Sequence, residues 1–386
     1  MDPGTLDRPI RIGWYIHPLR LGGMEYFLLR LAKKLTPRNV QIVGIFARKG
    51  EVVDEFTTCG IETQILNFRS FRHGFETLSE SLLSHRIDIV QTNMFTPLAA
   101  IAAGHVGLPH IWRVGGHPDV ALRRMNSDDR RMHLEVVAAQ SVAIVCNSQF
   151  VAEPFAGLSG PEPVIIRNGV ANHRENHVME ASKNRSWSPP RICMLAHFDP
   201  QKRHEDLIRA AALVITRFPQ ARFALYGSTF GETSMVAYRK DLRKLIKSLG
   251  LEGVVIMRRT KDAFAELSRA TVSVMPSIDE SSSNAILESM ACGTPVIAAD
   301  SGGNKEMIDS NTNGLLITMR APEELANAIL NLLQEPALAR KIAIKANQKI
   351  RHDYDLDLCA THYQTLYQRC LKDLKTVDPG NSKCAV

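Results

Sequence analysis

The 386-residue sequence contains no uninterrupted apolar run near the ~18 residues that a membrane-crossing helix requires, and its first eleven residues hold no apolar signal core. A cytoplasmic chain is the expectation. Cysteine is sparse and scattered: seven residues with no C-x-x-C pair, which argues against a zinc knuckle or a disulfide framework and reads as reduced, mostly buried thiols. The terminal Lys383-Cys384-Ala385-Val386 sets its cysteine one place too late for prenylation. A basic tail is also missing. The net charge of +7 divides into +3 through residue 189 and +4 beyond it, which favours small anionic ligands or an anionic membrane surface over a nucleic-acid track. No G-x-G-x-x-G follows the first apolar run and no G-x-x-x-x-G-K-[ST] occurs, which counts against a nicotinamide oxidoreductase, a helicase and a nucleotidase. Low-complexity tracts and short internal repeats are absent too.

What is there is an ordinary globular composition, with 45% hydrophobic residues, 23% charged residues and a mean hydropathy of −0.11. The length suits two or three domains. Short apolar runs at Ile10 to Ile16, Val40 to Phe46, Ile87 to Thr92, His110 to Val114 and Val142 to Asn147 read as strands, with helical patterns between them. Met24, Phe27, Leu28, Leu31 and Leu35 form one apolar stripe directly after the first run, which makes a βα unit and predicts parallel strands. Ala171 to Pro190, polar and ending in two prolines, reads as a linker. A second series then begins, with strands at Arg191 to Ala196, Phe223 to Tyr226, Val254 to Met257, Val272 to Met275 and Pro295 to Ala299. The expectation is an α/β chain of two doubly wound, Rossmann-like parallel-sheet domains, 1–180 and 181–355, binding ligand in a cleft at the carboxyl ends of their strands. A helix within 356–386, striped by Tyr363, Leu366, Tyr367 and Cys370, is expected to pack back on the first domain.

The chemistry concentrates in Val272 to Val296. A strand ends near Met275, small polar residues follow, and a helix runs from about Ser283 to a stop at Gly293. Its free amides face the strand ends and offer a phosphate site, while Ser281, Ser282 and Ser283 leave the approach uncrowded. Glu280 and Glu288 flank that position. Carboxylates repel phosphate but accept hydrogen bonds from diols, so hydroxylated rings on either side of a diphosphate, as in a nucleotide sugar, suit them. The plainer alternative is an exposed helix residue at 288 and a capping acid at 280. Lys202, on the loop after the strand ending at Ala196, supplies a cation at the same sheet edge or is a solvated lysine. Gly22-Gly23, between the first strand and its helix, permits close approach of backbone to ligand, as it would in any tight βα turn.

Taken in order and spacing, the following segments resemble the GT-B family of retaining glycosyltransferases known as family 4: Gly22-Gly23-Met24-Glu25, Asn147-Ser148, Asn168-Gly169-Val170, Asp199-Pro200-Gln201-Lys202-Arg203-His204, Glu280 to Glu288 with Gly293-Thr294-Pro295, Ser301-Gly302-Gly303 to Glu306, and Asn313-Gly314. The resemblance covers nearly the whole chain. It implies an acceptor-binding first domain, a donor-binding second domain, and transfer of a sugar from a nucleotide sugar, UDP-linked first and GDP-linked second, to an acceptor hydroxyl. By the same resemblance, Lys202 neutralises the donor diphosphate, Glu288 holds the ribose diol, Glu280 contacts the transferred sugar, backbone around Ser283, Asn284 and Ala285 holds phosphate or sugar, and Gly23 faces the diphosphate.

Two departures stand out. His197, in Ala196-His197-Phe198, occupies the place of the family's usual arginine, and a neutral imidazole does not replace a fixed charge, although it can donate a hydrogen bond. Arg258 or Arg259 either supplies the missing cation or is a solvated loop residue. His117 is the best match to the family's first-domain histidine but is displaced by about two residues. In this scheme no metal or other cofactor is required, because Lys202 and helix amides take its place. Front-face attack and a covalent intermediate both stay open. The competing readings are a nucleotide-sugar epimerase or a glycoside phosphorylase on the same fold, or a non-catalytic nucleotide-sugar-binding protein. The acceptor is a carbohydrate, a lipid-linked or a small-molecule hydroxyl compound, and no nucleic-acid partner is expected. Basic, somewhat amphipathic segments at Asn67 to Gly74 and Arg123 to His133 are compatible with peripheral contact at the inner face of a membrane and equally with ordinary exposed helices.

Overall fold

The computed structural model describes residues 8–16, 21–171, 188–260 and 262–376. Of the expected linker, 172–187 lie outside the described residues, as do residues 377–386 with Cys384. The described chain divides into two compact units: residues up to Gly169 together with those from Leu356 onward, and Val170–Asp355.

In the first unit, β1 (Ile10–Ile16), β2 (Val40–Phe46), β3 (Glu62–Ile65), β4 (Ile89–Thr92), β5 (His110–Val114), β6 (Ala143–Cys146) and β7 (Val164–Ile165) form one sheet in the order β3-β2-β1-β4-β5-β6-β7. In the second, β8 (Arg191–Leu195), β9 (Arg222–Tyr226), β10 (Val255–Arg258), β11 (Val272–Met275), β12 (Val296–Ala299) and β13 (Leu315–Ile317) follow the order β10-β9-β8-β11-β12-β13. All the pairings are parallel. In each unit the strand order reverses beside its first strand, between β1 and β4 and between β8 and β11. Such a switch point leaves a crevice at the carboxyl ends, where open α/β sheets bind ligands.

The central strands are apolar almost throughout because helices cover both of their faces. Ile12, Trp14 and Ile16 of β1 pack with Phe27, Leu28, Leu31 and Leu35 of the helix Gly23–Leu35. The helix Leu356–Thr376 belongs to this same core: Tyr363, Leu366, Tyr367 and Cys370 are all buried in it. Trp14 Nε1 donates to Tyr367 Oη at 3.2 Å, and that hydroxyl donates to Gln91 Oε1 at 2.7 Å. The division between units falls at Gly169/Val170 rather than at 180/181. Val170 pairs with the second unit, donating its amide to the Tyr354 carbonyl at 2.9 Å and packing among Met275, Ile350 and Tyr354. Among the described residues no helix is long and apolar enough to cross a membrane.

Candidate active site

At the switch point of the second unit, the loop after β8 and the loop after β11 meet. Lys202 Nζ lies 2.5 Å from Glu280 Oε1, and both side chains are largely buried, 15% and 11% exposed. Neither is a solvated loop residue. Several bonds fix the two loops. Gln201 Nε2 donates to the carbonyls of Ile278 and Asp279 at 3.0 and 3.2 Å, while the Ile278 amide donates to the Gln201 carbonyl at 3.0 Å. The Asp279 amide donates to Ser301 Oγ at 2.8 Å and the Gly303 amide to the Glu280 carbonyl at 2.8 Å. Asp279 and Arg203 hold left-handed backbone, φ +56° each, and Gly302 has φ +52°. Non-glycine residues held there are strained, and such strain concentrates where the chain must aim a side chain. Sequence reasoning gave no role to Gln201 or Ser301. Their signal lay only in their place inside the family-like segments.

The helix Asn284–Ala291 starts from Ser283, whose side chain makes no capping hydrogen bond, so the cap is Ser283 and not Glu280. Its far end closes as a Schellman motif, with Thr294 N bonding Ser289 O, Gly293 N bonding Met290 O and Gly293 at φ +64°. Glu288 is 7% exposed, which rejects the plain surface-residue alternative. Ile286, Leu287 and Met290 bury the other side of this helix against Val296 and Ala298. Ser283, Asn284 and Ala285 thus sit at a helix start in the crevice, beside the Lys202–Glu280 pair. Helix dipole, ammonium and carboxylates together suit a ligand with both phosphate and hydroxyl groups.

His197 is half-buried just beyond the end of β8, its ring 5.7 Å from that of Phe230. Beneath the loop, His204 is completely buried. Burial drives its pKa down to about 3, with the Ala196 carbonyl opposing and His197 and Lys202 adding to the shift, so the ring is neutral. Its Nδ1 has no hydrogen-bond partner. Arg258 is drawn elsewhere: Nη2 donates to Tyr226 Oη at 2.8 Å and to Glu266 at 3.3 Å. Arg259 is exposed. Sequence reasoning also missed Gly227, where a Cβ would lie 2.0 Å from the Ala196 carbonyl oxygen. Only glycine lets β9 end against the backbone that carries His197.

In the first unit, Gly22 precedes the helix Gly23–Leu35 in extended backbone and donates its amide to Glu25 Oε2 at 3.0 Å. Gly23 is exposed at the helix start. His117 caps the short helix Pro118–Ala121, its Nδ1 accepting from the Asp119 amide at 3.3 Å, and its ring stacks on Phe150 at 4.4 Å. Of the basic cluster beyond it, Arg130 is ion-paired with Asp119 and Arg131 with Glu135.

Two family profiles match in succession, Glycosyltransferase Family 4 over residues 21–174 and Glycosyl transferases group 1 over residues 189–335. The chain belongs to glycosyltransferase family 4. This family 4 member is similar to a D-inositol 3-phosphate glycosyltransferase of Nocardiopsis dassonvillei, 35% identical over 150 residues, 38% of this chain and 35% of that protein. It matches another of that name from Thermomonospora curvata at 27% identity over 88% of both chains. The first two relatives are thus spanned over only 35% and 63% of their length. A crystal structure of Anabaena Alr3699/HepE in complex with UDP superposes with a TM-score of 0.79 at 21% identity, covering 93% of this chain and all of that one. The fold is GT-B.

Proposed function

We propose that this chain is a retaining, metal-independent glycosyltransferase that moves a sugar from a nucleotide sugar, UDP-linked before GDP-linked, to an acceptor hydroxyl. The observation that carries the proposal is the Lys202–Glu280 pair buried beside the start of the helix Asn284–Ala291 at a sheet switch point. Glycosyl transfer develops oxocarbenium character at the sugar and negative charge on the departing diphosphate. Lys202 and the amides near Asn284 and Ala285 neutralise that diphosphate. Glu288 accepts from the ribose diol, and Glu280 orients the transferred sugar. In front-face transfer a donor phosphate oxygen takes the acceptor proton, so no strong protein base is needed. The relative named for inositol 3-phosphate makes a polyol phosphate the first acceptor to assay, ahead of glycan and lipid-linked compounds.

Calorimetry with UDP and GDP on Lys202→Ala and Glu288→Ala tests the site. Each lost charge-assisted bond is expected to weaken binding by ~1.5–3 kcal/mol with the fold intact. Unchanged affinity in both variants would overturn the assignment. Product analysis with UDP-sugars then separates transfer from epimerisation, phosphorolysis and mere binding.

A further inference from the structure

Arg113, on β5, is only 2% exposed, yet among the described residues no carboxylate pairs with it. Its Nε donates to Tyr363 Oη at 3.1 Å and one terminal nitrogen, Nη2, donates to Asn168 Oδ1 at 2.8 Å, while the guanidinium lies 4.9 Å from the Phe27 ring centre. These partners are neutral, and Nη1 has no partner at all. A buried cation without an anion is costly, and proteins seldom keep one unless something supplies the negative charge. Nη1 points to a definite place. A Cβ on Gly115 would meet it at 2.8 Å and would meet Met24 Sδ at 3.3 Å, so the nitrogen lies beside the first turn of the thirteen-residue helix Gly23–Leu35. A second donor flanks it in register. The β4–β5 pairing ends at Thr92 and Trp112, so continuing its register by one residue places Asn93 opposite Arg113, and Asn93 Nδ2 is likewise buried and unpartnered while its Oδ1 accepts from Gln91.

We infer that Arg113 and Asn93 form an anion-recognising site at the switch point of the first unit, completed by the helix start at Gly23, and that it takes a phosphoryl group of a substrate. The inference rests on the proposed function only in taking the substrates to carry a phosphoryl group. Two buried donors and a helix N-terminus match the acceptor-only surface of a phosphate, and a guanidinium suits its planar edge. The phosphoryl group belongs either to the donor or to a phosphorylated acceptor.

The test uses the full chain at constant ionic strength, with inorganic phosphate, UDP, inositol 3-phosphate and inositol as probes, read by thermal shift and calorimetry. Wild type and Lys202→Ala should both show a saturable rise in melting temperature with inorganic phosphate, and Arg113→Met should lose it. A loss of at least tenfold in affinity for inositol 3-phosphate, with UDP unaffected, identifies an acceptor phosphate. The reverse pattern identifies the donor. Asn93→Asp, which sets a carboxylate beside the guanidinium, serves if Arg113→Met does not fold. It should keep the fold and weaken phosphate binding about tenfold. If Arg113→Met, or Asn93→Asp in its place, binds all four probes as wild type does, Arg113 is only an anchor for the helix Leu356–Thr376 and the inference is overturned, whatever Lys202→Ala does to nucleotide binding.

Discussion

Lys202 and Glu280, 78 residues apart in sequence, are joined by a contact of 2.5 Å in which ammonium and carboxylate satisfy each other out of solvent. A diphosphate seeking the same ammonium competes with this carboxylate. Under the proposed function the pair therefore positions Glu280 and competes with the departing diphosphate for Lys202.

Glu280→Gln removes the competing charge but keeps the shape. UDP should bind about tenfold tighter to this variant, because a neutral amide holds the ammonium less strongly than a carboxylate does. Sugar transfer should nevertheless fall by roughly a hundredfold or more, since in the proposed function Glu280 orients and stabilises the transferred sugar and here loses its charge. Calorimetry with UDP alongside a transfer assay checks both. Weaker UDP binding would show that Glu280 aids nucleotide binding instead of opposing it.

Gly227→Ala drives a methyl group into the Ala196 carbonyl, where only 2.0 Å is available. Backbone must shift on β8 or β9, at a cost of about 3 kcal/mol. Chemical denaturation should report that loss, and donor affinity should fall with it because His197 adjoins the displaced carbonyl.

Gly169→Ala meets a similar obstacle in the first unit, with Leu356 Cα 2.6 Å and Cys359 Cβ 2.9 Å from the new carbon. The helix Leu356–Thr376 would have to lift from its seat. A loss of about 2 kcal/mol or more is expected, and unchanged stability would mean that this helix contributes little to the unit.

Acid should destabilise both units through two buried histidines. His204 and His110 each have pKa values lowered to about 3, chiefly by burial. His110 is held neutral by a defined pattern. Ser141 Oγ donates to the Val137 carbonyl, so His110 Nδ1 donates to Ser141 and Thr92 donates to Nε2. Between pH 6.5 and about 3 the unfolded chain takes up protons that the folded chain refuses, so stability falls as pH drops through that window. Each histidine contributes a slope of up to ~1.4 kcal/mol per pH unit. Melting temperatures measured from pH 7 to 5 should decline, and His110→Gln should flatten the decline.

Much of this protein was legible in one dimension. Short apolar runs located the central strands, which helices cover on both faces, and period-3.6 stripes located the first and last helices of the first unit, since side chains facing a shared core must recur at the pitch of the backbone that carries them. The stripe Phe27, Leu28, Leu31, Leu35 and the closing stripe Tyr363, Leu366, Tyr367, Cys370 are both buried in the first unit. The short edge strands β3, β7 and β13 escaped notice. Glu62-Thr63-Gln64-Ile65 carries little apolar signal and is a strand because β2 offers it a ladder.

Residue types and spacing along the chain determined the α/β alternation, the helix start at Ser283 and the set of polar groups available to a ligand. Tertiary structure alone decided which of them meet. Strand order brings the loops of β8 and β11 together, and with them Lys202 and Glu280; it also seals Arg113 beneath a helix 250 residues away in sequence. Spacing encodes local geometry, whereas burial and charge pairing depend on neighbours that only the folded sheet supplies.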